Sequence, residues 1–181
     1  MKYRDHPLLK ITTTAVMMAL TCLLTLTIRI PSPTNGYLNL GDCAVLLSGW
    51  LLGPFYGMLA GGLGSALADL LAGYPVYIPG TLLIKAAMAL IVSLLPSLFA
   101  RHPRAGWITG AVTAEAVMVT GYYLYEAAVI KEGFVPALAG VSGNVMQGIV
   151  GAAGSFVLVA ALSRVDLLKA YGVHGFVKKQ P

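Results

Sequence analysis

The sequence predicts an all-α membrane protein: a bundle of six transmembrane helices with both termini in the cytoplasm and a ligand cavity near the extracellular side. Three observations support this fold class: the composition, six apolar stretches and the placement of the basic residues. The 181 residues are 57% hydrophobic and only 10% charged, with a mean hydropathy of +0.80. Soluble domains carry about 25% charged residues. A surface this apolar is suited to lipid.

A helix that spans a bilayer needs about 20 mostly apolar residues. The chain therefore has room for about six spans in one membrane domain, residues 1–181, and none for a soluble catalytic domain. The sequence predicts these spans at residues 8–30, 42–52, 55–72, 78–100, 105–130 and 134–162.

The segments between the spans carry turn and loop residues. Residues 31–40 contain Pro, Ser, Asn and Gly, which indicates an external loop. Gly53-Pro54 predicts a tight cytoplasmic turn between the second and third spans. A second external loop, residues 73–77, is rich in Tyr and Pro, and residues 131–133 form an outer turn.

The basic residues determine the predicted orientation. They cluster before the first span, in the loop after the fourth span, and after the last span, namely Lys2, Arg4, Lys10, Arg101, Arg104, Arg164, Lys169, Lys178 and Lys179. With six spans these places lie on one side, and the positive-inside rule makes that side cytoplasmic. This distribution also explains the formal charge of +5 without a nucleic-acid partner.

No pattern of catalysis or metal binding is visible in the sequence. There is no P-loop, so the chain is not expected to hydrolyse ATP. The three histidines, His6, His102 and His174, lie far apart, and Cys22 and Cys43 give no disulfide framework. We therefore expect neither an enzyme nor a metal or cofactor site.

Polar residues within the spans indicate a binding cavity. Asp42 and Asp69 lie near the outer ends of spans two and three, and Lys85 and Glu126 lie in the outer halves of spans four and five. On span six, Asn144 and Gln147 are three residues apart and share a helical face. Ionisable residues are costly in a membrane and usually face the bundle interior. Together they predict a polar cavity that opens outward.

Span five has a comparable polar face, formed by Glu115, Tyr122 and Glu126. Glu115 could instead hydrogen-bond Gln147 or face a partner subunit. The tyrosines of the loops, including Tyr77, could belong to an interfacial aromatic belt or close over a flat ring.

Other residues have structural alternatives too. Lys85 could neutralise Glu126 or Asp69 in an ion pair, Asn144 and Gln147 could join helices, and Asp42 could cap span two. The glycines of spans three and six could serve tight helix packing or form a thin wall beside a ligand.

Several local segments resemble one family. They are Ala15-Val16-Met17-Met18-Ala19, Tyr37-Leu38-Asn39-Leu40-Gly41-Asp42, the run from Ala68 to Pro75 followed by Lys85, Gly121-Tyr122-Tyr123-Leu124-Tyr125-Glu126, and Gly143-Asn144-Val145-Met146-Gln147. Over nearly its whole length the chain resembles an S component, the substrate-binding membrane subunit of an energy-coupling factor (ECF) vitamin transporter. It is most similar to the branch for hydroxymethylpyrimidine, pyridoxine and riboflavin.

The resemblance implies a location in the bacterial cytoplasmic membrane and a division of labour. The S component binds a vitamin outside and tilts to release it inward, while a transmembrane coupling subunit and two cytoplasmic ATPase subunits supply the energy. Ala15 and Ala19 match the family's docking patch on the first span. The candidate substrate-binding residues are Asn144, Gln147, Lys85, Tyr122, Glu126, Asp42, Asp69 and Tyr77.

Other classes of function remain open at this point. A secondary transporter acting alone could use Glu115 and Lys85 as a proton or ion relay, although no inverted repeat is evident. A membrane enzyme would need buried catalytic pairs, and a scaffold subunit would not need polar residues from several helices at similar depths. The vitamin itself could be a pyrimidine, a pyridine or a larger ring such as riboflavin.

Overall fold

The structure is a computed structural model that describes residues 7–32, 34, 36–99 and 101–163. Within these ranges nearly all of the chain is helical. The basic residues expected at the two ends, Lys2, Arg4, Arg164, Lys169, Lys178 and Lys179, lie outside the described residues, as do His6 and His174.

The helices follow the predicted order. They are α1 (Pro7–Thr27), α2 (Gly41–Met58), α3 (Gly64–Ala72), α4 (Ile78–Leu98), α5 (Pro103–Leu124) and α6 (Phe134–Leu162). A π-helical turn, Leu59–Leu63, joins α2 to α3, and a second one, Tyr125–Val129, extends α5. A short 3₁₀ turn, Pro75–Tyr77, leads into α4.

The surface of the structure is apolar, and several charged side chains are buried within an otherwise hydrophobic core. Large hydrophobic side chains such as Leu83, Val135 and Val157 are exposed on its surface, whereas Lys85 and Asp42 are fully buried. By length and composition, four helices could cross a membrane: Pro7–Thr27, Gly41–Ala72, Pro75–Leu98 and Phe134–Leu162. This distribution suits a protein whose surroundings are lipid.

The helical stretch Gly41–Ala72 contains a break at Gly53, where the sequence predicts a turn. Gly53 has φ +77° and ψ −172°, a conformation that favours glycine, and Pro54 starts the next helical segment. A Cβ on Gly57 would lie 2.8 Å from Gly49 Cα, and one on Gly61 would lie 3.1 Å from Val45 Cγ1. Residues eight and sixteen positions apart are thus in contact, so the two halves fold back on each other as a helical hairpin.

Glycines also bring this hairpin close to its neighbours. A Cβ on Gly49 would lie 2.4 Å from the Ala89 carbonyl oxygen of α4, and one on Gly64 would lie 2.6 Å from the Met18 carbonyl oxygen of α1. Small residues allow this close approach between helices in a membrane. The glycines of the third predicted span therefore serve packing, which is one of the two roles expected for them.

Hydroxyl groups within α1 find partners along their own helix. Thr14, Thr21 and Thr25 donate hydrogen bonds of 2.7–2.9 Å to the carbonyl oxygens four residues earlier. Such bonds satisfy polar groups where no water is present.

A β-hairpin follows α1 in the segment expected to be an external loop. Its strands, Ile30–Pro31 (β1) and Tyr37–Leu38 (β2), pair antiparallel, with Ile30 opposite Leu38. The hairpin contributes residues to the cavity described next.

Candidate functional site

A cavity lies where the β-hairpin meets the adjoining ends of α3, α4 and α5 and the first half of α6. It is small, about 30 Å³, which is room for about two water molecules. The hairpin, four helical segments and the 3₁₀ turn contribute its lining residues, which are Ser32, Gly36, Tyr37, Asn39, Asp69, Tyr77, Thr81, Tyr122, Glu126, Asn144 and Gln147.

The most deeply buried charges form an ion pair beside this cavity. Lys85 Nζ of α4 donates a hydrogen bond to Asp42 Oδ1 of α2, and the two residues are 1% and 0% exposed. Neither residue belongs to the cavity lining. The partner of Lys85 is therefore Asp42, rather than Glu126 or Asp69 as the structural alternative supposed. Asp42 does not cap α2, since it lies in the first turn of the helix after the N-cap residue Leu40, and its carboxylate binds Lys85.

Gln147 connects this ion pair to the cavity wall. Its Nε2 donates to Asp42 Oδ2 at 2.7 Å, and its Oε1 accepts from the Asn39 backbone N–H at 2.9 Å. Asn39 Oδ1 in turn accepts from the Gly41 N–H at 2.8 Å, at the start of α2. The side-chain amide of Gln147 is thus already engaged at both ends by the protein.

Asn144, one turn earlier on α6, differs from Gln147. It lines the cavity and is partly exposed, and among the described residues its side chain makes no hydrogen bond. Its amide group offers both a donor and an acceptor to the cavity.

Asp69 lies at the end of α3 with one oxygen satisfied. The Tyr37 hydroxyl of β2 donates to Asp69 Oδ1 at 2.8 Å. Burial, followed by the nearby Asp69 carboxylate, raises the pKa of Tyr37 above its usual value, so this phenol stays protonated and acts as the donor. Asp69 Oδ2 is buried and has no partner among the described residues.

Glu126 has a comparable arrangement. It lies in the π-helical turn Tyr125–Val129, a type of distortion that is frequent at functional sites. Its Oε1 accepts from Thr34 Oγ1 at 2.9 Å and from the Tyr77 hydroxyl at 3.2 Å. Its Oε2 has no partner in the described structure and lies next to Gly140, where a Cβ would be 3.0 Å away.

Tyrosines form much of the remaining wall. The rings of Tyr37 and Tyr74 are 4.8 Å apart, and Tyr77 lies 6.4 Å from both Tyr74 and Tyr122. The Tyr122 hydroxyl also shares a 3.0 Å hydrogen bond with Thr81 Oγ1. Lys85 Nζ lies 5.4 Å from the centroid of the Tyr122 ring, so the ammonium group is close to a ring that lines the cavity.

Glu115, which shares the polar face of α5, lies outside the cavity lining. It is 7% exposed, and neither carboxylate oxygen has a hydrogen-bond partner among the described residues. The side chain fits against Gly148 and Gly151 of α6, where Cβ atoms would come within 3.2 Å of its oxygens. It neither bonds Gln147 nor faces outward.

The structure therefore divides the sequence-predicted site residues into two groups. Asn144, Gln147, Tyr122, Glu126, Asp69 and Tyr77 line one cavity, whereas Lys85 and Asp42 support it from behind. Ser32, Gly36 and Asn39 were not singled out from the sequence, although they belong to the polar loop predicted at residues 31–40. The Ser, Asn and Gly content of that loop was the sequence feature that could have indicated a contribution to the site.

Comparisons with known proteins agree with a substrate-binding membrane subunit of a transporter. A model of the family described as "ECF-type riboflavin transporter, S component" matches residues 7–164. The chain belongs to this family. It is thus a membrane subunit of the kind that binds the substrate in vitamin uptake.

Individual relatives are consistent with this assignment. The chain is 28% identical, over 94% of its length and 98% of the relative's, to the thiamine precursor transporter HmpT of Lactococcus lactis subsp. cremoris (strain MG1363). It is 42% identical over 99 residues to an uncharacterized protein of Pyrococcus woesei, a match that spans 54% of this chain and 65% of that protein.

A solved structure shows the same fold. It is the S component of a bacterial ECF transporter, with a TM-score of 0.67 at 21% identity, and the match covers 86% of this chain and 96% of that one.

We expect Lys85→Met to destabilise the protein strongly, because it leaves the Asp42 carboxylate buried without its counter-charge. Breaking one side of a buried pair costs about 3–5 kcal/mol. Adding Asp42→Asn should restore part of that loss, since the two positions are coupled. The free energy of unfolding in detergent, measured by chemical denaturation, gives both values. Lys131→Met, at an exposed lysine, is the matched control and should change stability by less than about 0.5 kcal/mol. Equal small effects at both lysines would contradict the structural role of the pair.

Proposed function

We propose that this chain is the substrate-specificity subunit of an ATP-driven ECF importer and that the cavity beneath the β-hairpin holds its vitamin. The observation that supports this most is the free side-chain amide of Asn144 beside the unpartnered oxygens of Asp69 and Glu126. Buried polar groups are normally satisfied. A ligand that bears both donors and acceptors would satisfy these.

Our preferred substrate is hydroxymethylpyrimidine or pyridoxine. A relative that covers almost the whole chain is named a thiamine precursor transporter. A single pyrimidine or pyridine ring is also smaller than the three-ring flavin of riboflavin. Riboflavin is the alternative, favoured by the name of the family. A cavity of about 30 Å³ must widen for any of these rings. We propose that the β-hairpin, which carries Tyr37, moves outward when the ligand enters.

We further propose six spans with both termini in the cytoplasm. The helical hairpin around Gly53 divides Gly41–Ala72 into two antiparallel halves, and α5 supplies the remaining span. The hairpin that covers the cavity then lies outside, and the loop with Arg101 and Arg104 lies inside, as the positive-inside rule favours.

The partners would be a transmembrane coupling subunit and two cytoplasmic ATPases, as in other ECF transporters. Ala15 and Ala19 are both exposed and lie four residues apart on one face of α1. Their small side chains would let a helix of the coupling subunit approach closely.

The unpartnered carboxylate of Glu115 favours a second candidate, a proton- or ion-coupled transporter that acts alone. An uptake assay separates the two functions. Cells expressing the chain with and without an ECF coupling subunit and its ATPases should take up labelled hydroxymethylpyrimidine only in the first case. Proton-driven uptake by the chain alone would overturn the ECF proposal.

In the cavity, Asn144→Ala should weaken vitamin binding by roughly 5- to 150-fold without lowering stability, because Asn144 bonds no other described residue. Gln147→Ala should reduce both binding and stability, since it also removes a partner of Asp42. Calorimetric titration and denaturation of the purified protein give the two quantities. If neither substitution changes affinity, neither amide contacts the ligand, and Gln147 serves only to join α6 to Asp42 and Asn39.

On α1, Ala15→Trp or Ala19→Trp should block assembly with the coupling subunit and abolish uptake, while vitamin binding by the isolated chain persists. Val112→Trp, at an exposed position of α5, is a control of equal bulk and should assemble normally. Co-purification and uptake are the measurements. Normal transport by either alanine variant would contradict the docking assignment.

For the topology, cysteines placed at position 3 and position 180, in a background with Cys22→Ala and Cys43→Ala, should be labelled only after the cells are opened. An impermeant maleimide gives the measurement, and a cysteine at Lys131 is the externally accessible control. Labelling of either terminus in intact cells would contradict the proposed orientation.

A further inference from the structure

We infer that the cavity selects a cationic or amino-bearing nitrogen heterocycle and rejects vitamins that carry a phosphate or carboxylate group. This inference rests on the proposed function and specifies the charge class of its substrate. It follows from the charges and rings that line the cavity.

The charge balance of the lining is negative. Asp69 and Glu126 are the acidic lining residues, and in the described part of the lining there is no lysine, arginine or histidine. Lys85 is buried nearby, but it is paired with Asp42 and does not belong to the lining. The protein thus supplies no counter-charge inside the cavity.

The hydrogen bonds of the two carboxylates are incomplete in the same way. Hydroxyl groups satisfy one oxygen of each: Tyr37 binds Asp69 Oδ1, and Thr34 and Tyr77 bind Glu126 Oε1. The second oxygen of each is buried without a partner among the described residues. Carboxylate oxygens accept hydrogen bonds, so a ligand that carries N–H or O–H donors can complete them, and a positively charged donor does so most strongly.

The aromatic lining favours the same ligands. Tyr37, Tyr77 and Tyr122 all line the cavity, and the faces of tyrosine rings attract cations. Flat heterocycles also stack well between such rings. The described lining thus combines carboxylates and tyrosine rings and has no lysine, arginine or histidine. Such a site suits an aminopyrimidine or a protonated pyridine.

An anionic ligand would be repelled by the two carboxylates. A phosphate ester would bring two negative charges next to Asp69 and Glu126, where Coulomb repulsion is strong because little water is present. The carboxylates therefore provide specificity by repulsion as well as by attraction.

The first test compares ligands on the unaltered protein. The purified chain is titrated with hydroxymethyl-aminopyrimidine, with the matching pyrimidinone that has a carbonyl oxygen in place of the amino group, with the phosphate ester of the aminopyrimidine, and with riboflavin. We expect the aminopyrimidine to bind tightest, the pyrimidinone roughly 5- to 150-fold more weakly, and the phosphate ester not measurably.

Equal or tighter binding of the phosphate ester or of riboflavin would overturn the charge inference while leaving the transporter proposal intact. Failure of every vitamin to bind would overturn the transporter proposal as well.

The second test assigns the preference to the two carboxylates. Asp69→Asn and Glu126→Gln keep the shape of each side chain and remove its charge. Each should reduce the preference for the aminopyrimidine over the pyrimidinone by at least about fivefold, with elution profile and circular dichroism unchanged. Glu115→Gln changes a buried carboxyl group that lies outside the lining, and should alter the preference by less than about fivefold. An unchanged preference in both cavity variants would show that neither carboxylate recognises the ligand.

Discussion

Neutralisation of Asp42 by Lys85 is the interaction on which the rest of this structure depends. A single buried carboxylate would be very unfavourable in an apolar bundle, and its pairing fixes the rotation of α2 against α4. The second oxygen of Asp42 binds Gln147 and so fixes α6, and Gln147 holds the chain at Asn39, where the β-hairpin leads into α2. One buried charge thus determines the relative positions of three helices and the edge of the cavity.

Glycines make this arrangement of polar groups possible. Gly151 brings the α6 backbone close to both Asp42 and Glu115, where a Cβ would lie 2.6 Å from Asp42 Cβ and 2.8 Å from Glu115 Oε1. Gly140 plays a comparable part beside Glu126 and Thr34. Neither set of glycines lines the cavity, so neither forms the wall beside a ligand that was the second role expected for them. Those of the third predicted span serve helix packing, and those of α6 make room for polar side chains.

The sequence predicted an all-helical membrane fold and a set of buried polar residues, because both follow from hydrophobic periodicity and from the cost of charge in lipid. It did not predict the partner of Lys85. Asp42, Asp69 and Glu126 all lie in the same part of the bundle, and the choice among them depends on how the part of α2 before the break at Gly53 is rotated against α4. The π-helical turn that carries Glu126 and the β-hairpin were also missed, because neither has a hydrophobic period.

The same contacts explain why some buried carboxylates stabilise the fold while others near the cavity remain available to a ligand. The described part of the bundle buries four carboxylates besides the lysine, at Asp42, Asp69, Glu115 and Glu126. A single ammonium group cannot neutralise them all, and its position beside Asp42 makes that residue structural. Asp69 and Glu126 have only hydroxyl donors, which satisfy one oxygen and leave the other. The location of the one buried lysine thus decides which carboxylates stabilise the fold and which remain for a ligand.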